Sequence, residues 1–176
     1  SMTEISNLFN LQSKLKDKKI DILMVNRSDE FLNEYISPYA ERLQFITNFS
    51  GSAGKAIVLQ NEAYLYVDGR YTFQAKKQIN ENEIKSKHLK FFWEDIKMHV
   101  SRNSCTIAVD PKLHSIIEIQ KIQDYILNTS SNIKFLGSNI IDSIWKNKPT
   151  TKYSNIFDHS VKYAGENRVK KLIDFK

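Results

Sequence analysis

Residues 45–78 read FITNFSGSAGKAIVLQNEAYLYVDGRYTFQAKKQ, and this stretch sets the fold class. Gly51 and Gly54 bracket Ser52 and Ala53. That spacing predicts a tight turn, because glycine tolerates positive φ and admits close approach of backbone or ligand. Two apolar runs follow, Ala56–Leu59 and Tyr64–Val67, parted by Gln60-Asn61-Glu62, which predicts a β-hairpin. Asp68 then stands where a helix N-cap belongs, ahead of Tyr71, Ala75 and Ile79 on one helical face.

Outward from this stretch the pattern alternates between helix and strand. Leu8, Leu11 and Leu15 fall at helical spacing and predict a helix over Asn7–Lys18. Ile20–Val25 is a short continuous apolar run, suited to a buried strand. Ser28-Asp29-Glu30 can cap a helical turn reaching Tyr35, before Pro38 interrupts it. Leu43–Phe49 reads as a strand entering the glycine turn. Glu83–Lys90 is ambiguous with some strand character, and Trp93–Val100 reads as a short helix with acidic residues at its start. Cys105, Ile107 and Val109 alternate as in a half-buried strand that Asp110-Pro111 stops. Ile116, Ile119, Ile122 and Ile126 make a helical stripe, Ile133 and Phe135 suggest a last strand, and Ile140–Trp145 a final helical turn. The fold class expected is therefore α/β, with a mixed sheet because the hairpin adds an antiparallel pair.

Bulk properties bound the function. The chain has 176 residues and 41% hydrophobic content, enough for one domain with an ordinary core. No apolar run approaches the ~18 residues of a membrane span, so no membrane partner is expected. The formal charge is +6, but the lysines fall singly or in pairs among acidic residues. A nucleic-acid footprint needs clustering, so no nucleic acid is expected either. Cys105 is the single cysteine, which excludes an internal disulfide and fits a reducing, cytoplasmic location.

Five segments together resemble a known family: SDEFLNEY (Ser28–Tyr35), ERLQFITNFSGSAG (Glu41–Gly54), VDGRYTFQAKKQ (Val67–Gln78), AVDPKLHS (Ala108–Ser115) and IIDSIWKNKP (Ile140–Pro149). Their order and spacing resemble the N-terminal domain of the Xaa-Pro aminopeptidases (aminopeptidase P) in the creatinase/prolidase superfamily. The resemblance implies a mixed sheet of about six strands with helices on both faces, a ribonuclease H-like architecture from which no nuclease activity follows. It implies a domain at 2–148, a linker at 149–162 and the start of a truncated second domain at 163–176. It also implies that the full-length protein is a metal-dependent hydrolase acting on peptides whose second residue is proline. Two manganese ions would lie in a C-terminal catalytic domain, and none in this fragment, which alone would be inactive. The domain would shape the substrate cleft against that catalytic domain and support a homodimer. A stand-alone, non-enzymatic creatinase-like binding module is the other reading.

The residues themselves offer little chemistry. GSAGK fails as a phosphate loop, since Phe49 and Ala56 occupy the positions that need Gly and Ser/Thr. Ser52 directly follows Gly51, so it is no nucleophile elbow. His88, His99, His114 and His159 show no metal-ligand spacing. No catalytic or metal-binding residue is therefore assigned. The candidates for a cleft or interface are Tyr35, Phe49, Ser52, Arg70 and Tyr71. Arg70 would hold a peptide carbonyl or carboxylate through paired hydrogen bonds, with the aromatic residues as an apolar wall. The competing assignments are a structural turn for Ser52, a local pair with Asp68 for Arg70, and core packing for the aromatics.

Overall fold

The computed structural model describes residues 4–27 and 41–149. Tyr35, the helical turn ahead of it, the linker beyond 149 and the segment 163–176 lie outside the described residues. The elements in order are α1 (Asn7–Asp17), β1 (Ile22–Asn26), α2 (Arg42–Thr47), β2 (Lys55–Leu59), β3 (Ala63–Val67), α3 (Thr72–Gln78), β4 (Lys85–His88), α4 (Phe92–Arg102), β5 (Thr106–Val109), α5 (Ile116–Ile126), β6 (Asn132–Phe135) and α6 (Ile140–Ile144). They build one six-stranded sheet in the order β4-β3-β2-β1-β5-β6. The β1–β2 and β2–β3 pairs are antiparallel. The β1–β5, β3–β4 and β5–β6 pairs are parallel.

Strand alternation divides the interior into two cores. Leu23 and Val25 of β1 face one side with Ala56, Val58, Leu65 and Val67, against Leu8, Leu11 and Leu15 of α1, Leu43 and Ile46 of α2, Ala75 of α3, and Ile140 and Ile141 of α6. Ile22 and Met24 face the other side with Ile57, Tyr66, Ile107 and Val109, against Phe92, Ile96 and Val100 of α4 and Ile122 of α5. The leucine stripe of α1 starts at an N-cap, where the Ser6 side chain accepts from the Phe9 N–H at 3.1 Å. Losing one such buried leucine to alanine costs about 2–5 kcal/mol. No described helix is long and apolar enough to cross a membrane.

Three local expectations change. Leu43–Phe49 is not a strand: Arg42–Thr47 forms α2, whose buried Leu43 and Ile46 sit at helical spacing. The run supports both periods, and the core beside α1 takes the helical one, while Phe45 packs against Trp145 with ring centroids 4.6 Å apart. Asn48 ends α2 in the left-handed region, at φ 67°. The helix expected from Arg70 opens instead as a 3-10 turn over Gly69–Tyr71, capped by Asp68, and becomes α-helical at Thr72. Finally, β5 is buried on both faces rather than one, because it lies between β1 and β6 with helices on either side.

One end of the sheet collects the residues of interest. The antiparallel register sets Asn26, the last residue of β1, opposite Lys55, the first of β2. Tyr66, near the end of β3, lies opposite Lys55 on its other side. The parallel β1–β5 pair directs the turn after Val109 to the same end. The glycine loop, the Asp68–Tyr71 turn and the Asp110–Ser115 turn therefore converge there.

Candidate functional site

The glycine loop is built around Phe49. This ring is 1% exposed and lies beneath the loop. A Cβ on Gly51 would stand 2.2 Å from Phe49 Cζ, and one on Gly54 would meet Leu43 Cδ2 at 3.2 Å and Phe49 Cε1 at 3.3 Å. No glycine among the described residues has positive φ. The glycines are thus required by close approach to an aromatic ring, not by a left-handed backbone. Phe49 is a floor for the loop rather than an exposed wall.

The loop is tied on both flanks. On the α3 side, Ser50 N–H donates to Gln78 Oε1 at 3.0 Å, and Gln78 Nε2 donates to Ser50 Oγ at 2.7 Å. The Ser52 Oγ is hydrogen-bonded to the Tyr71 hydroxyl. Tyr71 in turn meets Phe49 edge-on, with centroids 5.9 Å apart. On the β1 side, Arg27 donates from its backbone N–H to Gly54 O at 3.2 Å and from Nη1 to Ser52 O at 3.0 Å, while Nη2 pairs with Glu41 at 2.8 Å.

Arg70 stands at the outer edge of this surface, 75% exposed. Its guanidinium lies 3.2 Å from Asp68 Oδ2 and 5.4 Å from the centre of the Tyr71 ring. The Arg70 backbone N–H and guanidinium together hold the Asp68 carboxyl below its usual range. An exposed ion pair of this kind is weak, so the guanidinium is available to a competing carbonyl or carboxylate. Phe73 on α3 is an exposed apolar side chain, with Lys77 Nζ 4.4 Å from its ring centre. Of the five candidates, Phe49, Ser52, Arg70 and Tyr71 thus form one contiguous feature, and Tyr35 lies outside the described residues.

Sequence reasoning missed a polar network beside the loop. Lys55 Nζ donates to Asn26 Oδ1 at 2.9 Å and approaches Glu118 Oε1 at 3.3 Å. Asn26 Nδ2 donates to Glu118 Oε2 at 2.9 Å and lies 2.8 Å from His114 Nδ1. Burial alone would raise the Glu118 carboxyl. The surrounding His114, Lys55 and Asn26 outweigh it and hold the group at about 2. The signal that could have found part of it is the four-residue spacing of His114 and Glu118, which straddles the Ser115 N-cap of α5.

The other singled-out residues have structural roles. His88 accepts from the Lys90 N–H, and His99 is half-buried, its imidazole pushed down chiefly by desolvation. Cys105 is buried just ahead of β5, and burial raises its thiol, so it behaves as a small apolar side chain. Among the described residues no three His, Cys, Asp or Glu side chains are grouped to hold a metal ion. His159 lies outside them.

The model of the creatinase/prolidase N-terminal domain matches residues 8–138. The chain belongs to this domain family. A probable Xaa-Pro aminopeptidase P from Coccidioides posadasii is 31% identical to this creatinase/prolidase N-terminal domain over 173 residues, covering 96% of the chain and 27% of the relative. The chain thus spans about a quarter of the length of the curated relatives it matches. Among solved structures, an X-prolyl aminopeptidase from Caenorhabditis elegans, described as a cytosolic enzyme with a di-nuclear active site, superposes with a TM-score of 0.73 at 24% identity, over 82% of this chain and 26% of that one. The N-terminal domain of the cytoplasmic peptidase PepQ from Mycobacterium tuberculosis gives a TM-score of 0.58 at 16% identity, over 78% of this chain and 97% of that one. These two likenesses establish the fold, a mixed six-stranded sheet with helices on both faces.

Proposed function

We propose that this creatinase/prolidase N-terminal domain is the non-catalytic first domain of a metal-dependent Xaa-Pro aminopeptidase, a cytoplasmic hydrolase that removes an N-terminal residue preceding proline. The observation that carries this reading is the 31% identity to a probable Xaa-Pro aminopeptidase P across 96% of the chain. On this reading the domain spans 2–148, a linker 149–162 leads out of it, and 163–176 begins the next domain. Two manganese ions would be held in that downstream polypeptide, where they supply Lewis acidity and an activated water. The described residues offer no metal-ligand group of their own, and no step of the reaction is assigned to them.

What this domain contributes is a wall. Ser52, Arg70 and Tyr71 would face the cleft, with Phe49 holding the loop from below. Arg70 would leave Asp68 and donate paired hydrogen bonds to a peptide carbonyl or terminal carboxylate. A wall on that side shortens the peptides that can be accommodated. The full-length enzyme would act as a homodimer.

The test is expression of the uninterrupted reading frame beyond Lys176. The full-length protein is expected to hydrolyse X-Pro peptides, to lose activity with a chelator and to regain it with manganese. The 176-residue chain is expected to show no turnover. A reading frame that ends without a metal-binding domain would favour a stand-alone binding module, and peptidase activity in the pure 176-residue chain would overturn the assignment.

A further inference from the structure

The end of the sheet opposite the glycine loop holds a cavity of about 340 Å³, between the β2–β3 turn and the last turn of α4. That volume falls within the roughly 300–1,000 Å³ of small-molecule sites. Ile22 of β1 and Leu59 of β2 supply its apolar surface, and the buried Cys105 lies in its lining just ahead of β5. Asp21, Glu62 and His99 bring carboxylates and an imidazole to it.

Three donors around this cavity are turned into the protein. Gln60 Nε2 donates to Ile20 O at 2.9 Å, Ser104 Oγ to Ser130 O at 3.1 Å, and Cys105 Sγ to His99 O at 3.3 Å. The acceptors are only half used. Asp21 Oδ2 receives the Thr106 N–H at 2.8 Å, and Glu62 Oε2 receives the Tyr64 hydroxyl at 3.1 Å. The other oxygen of each carboxylate has no hydrogen bond among the described residues. The half-buried His99 ring has no hydrogen-bond partner among them either. Desolvation, the largest influence on that imidazole, pushes it below its ordinary value, so at neutral pH the ring is uncharged and one nitrogen is an acceptor.

No lysine or arginine lines the cavity. Of the two cations whose charge reaches His99, Lys87 is paired with Asp95 at 2.6 Å, and Arg102 stands outside the lining. Among the described residues these side chains are not grouped to hold a metal ion. Unspent acceptors carrying negative charge beside an apolar surface match an ammonium on a short alkyl body, because an ammonium has three donors and no acceptor.

We propose that this cavity is a binding site for a small primary amine, whose ammonium is received by the carboxylates of Asp21 and Glu62 and whose alkyl body lies against Ile22 and Leu59. The site is separate from the cleft wall and does not depend on the peptidase reading.

The test is titration of the 176-residue chain with isoamylamine at neutral pH and constant ionic strength, followed by amide NMR. Isoamyl alcohol and isovalerate serve as the uncharged and anionic controls. The amine is expected to bind saturably, at about 1–10 mM. It should move the amide resonances of residues 21–22, 59–62 and 103–105 and leave those of 51–54 in place. The alcohol should bind about fivefold more weakly, and isovalerate not at all. Asp21→Asn and Glu62→Gln should each weaken the amine by about fivefold and leave the alcohol unchanged. Both replacements keep the side-chain shape and an oxygen for the Thr106 N–H or the Tyr64 hydroxyl, so the fold is retained. Three results overturn the proposal: an alcohol that binds as tightly as the amine, shifts that fail to saturate or that map elsewhere, or an amine affinity that neither carboxylate variant changes.

Discussion

The Ser52 hydroxyl and the Tyr71 hydroxyl are hydrogen-bonded to each other, closing the glycine loop onto the turn that starts α3. The contact joins the GSAG stretch to the DGRY stretch. It also fixes the edge of Tyr71 against Phe49, so one hydrogen bond and one aromatic contact define the outer surface of the loop. Ser52→Ala and Tyr71→Phe are each expected to lower stability by about 0.5–1.5 kcal/mol. The double variant should lose less than the sum, because the two changes remove the same bond. Urea unfolding of the four proteins measures this, and strict additivity would show that the hydroxyls do not act as a pair.

Gly51→Ala tests the floor of the loop. The added methyl would stand 2.2 Å from Phe49 Cζ, so ring or backbone must shift. A loss of about 1–3 kcal/mol is expected, as for other overpacked sites. Pairing it with Phe49→Leu should recover part of that loss, since the ring that clashes is gone. Thermal melts of the single and double variants decide it.

Arg70 is expected to separate stability from function. Its side chain is solvated, so Arg70→Ala should leave the unfolding midpoint unchanged. On the proposed aminopeptidase reading, the same change in the full-length protein should raise KM for X-Pro peptides if the guanidinium holds substrate, and Arg70→Lys should recover only part of the effect, because an ammonium lacks the planar fork. Unaltered kinetics in both variants would remove Arg70 from the cleft.

The Glu118 carboxyl gives the domain an acid limit. Its folded value of about 2 lies below its ordinary 4.5. A depressed carboxylate stabilises the fold above its unfolded pKa and loses that contribution as pH falls through the folded one. Stability should therefore be flat with respect to this group above about pH 5 and decline between about 4.5 and 2, by roughly 2–3 kcal/mol in all. Glu118→Gln should flatten that part of the curve. A denaturation series from pH 2 to 7 provides the comparison.

Arg42 and Asp142 join α2 to α6, with Nε to Oδ1 at 2.8 Å and Nη2 to Oδ2 at 3.0 Å. Arg42 is 3% exposed. Asp142→Ala removes both of these hydrogen bonds from a buried guanidinium and should cost about 1.5–3 kcal/mol, whereas replacing both residues with apolar ones should cost less than the single change. Calorimetric melts of the single and double variants distinguish the two.

The hairpin, the Asp68 cap, the leucine stripe of α1 and the isoleucine stripe of α5 were all legible in the chain itself. Each depends on residues within a turn or two of one another, and local periodicity carries that information. Residues 43–49 show where such reading stops. Their apolar positions satisfy both a period of two and a period near 3.6, and packing on α1 and Trp145 selects the helix. The reason for the glycines was likewise hidden, because it lies in the distance to a ring and not in a backbone angle.

The polar architecture at the end of the sheet was the least foreseeable part. Asn26 and Glu118 are 92 positions apart, Lys55 and Glu118 63, and Arg42 and Asp142 100. Periodic burial of apolar side chains marks faces and elements, but it says nothing about which charged ends will meet. That is settled by strand order and register, which bring the ends of β1, β2 and β5 together, so that partly buried polar residues far apart in the sequence meet there.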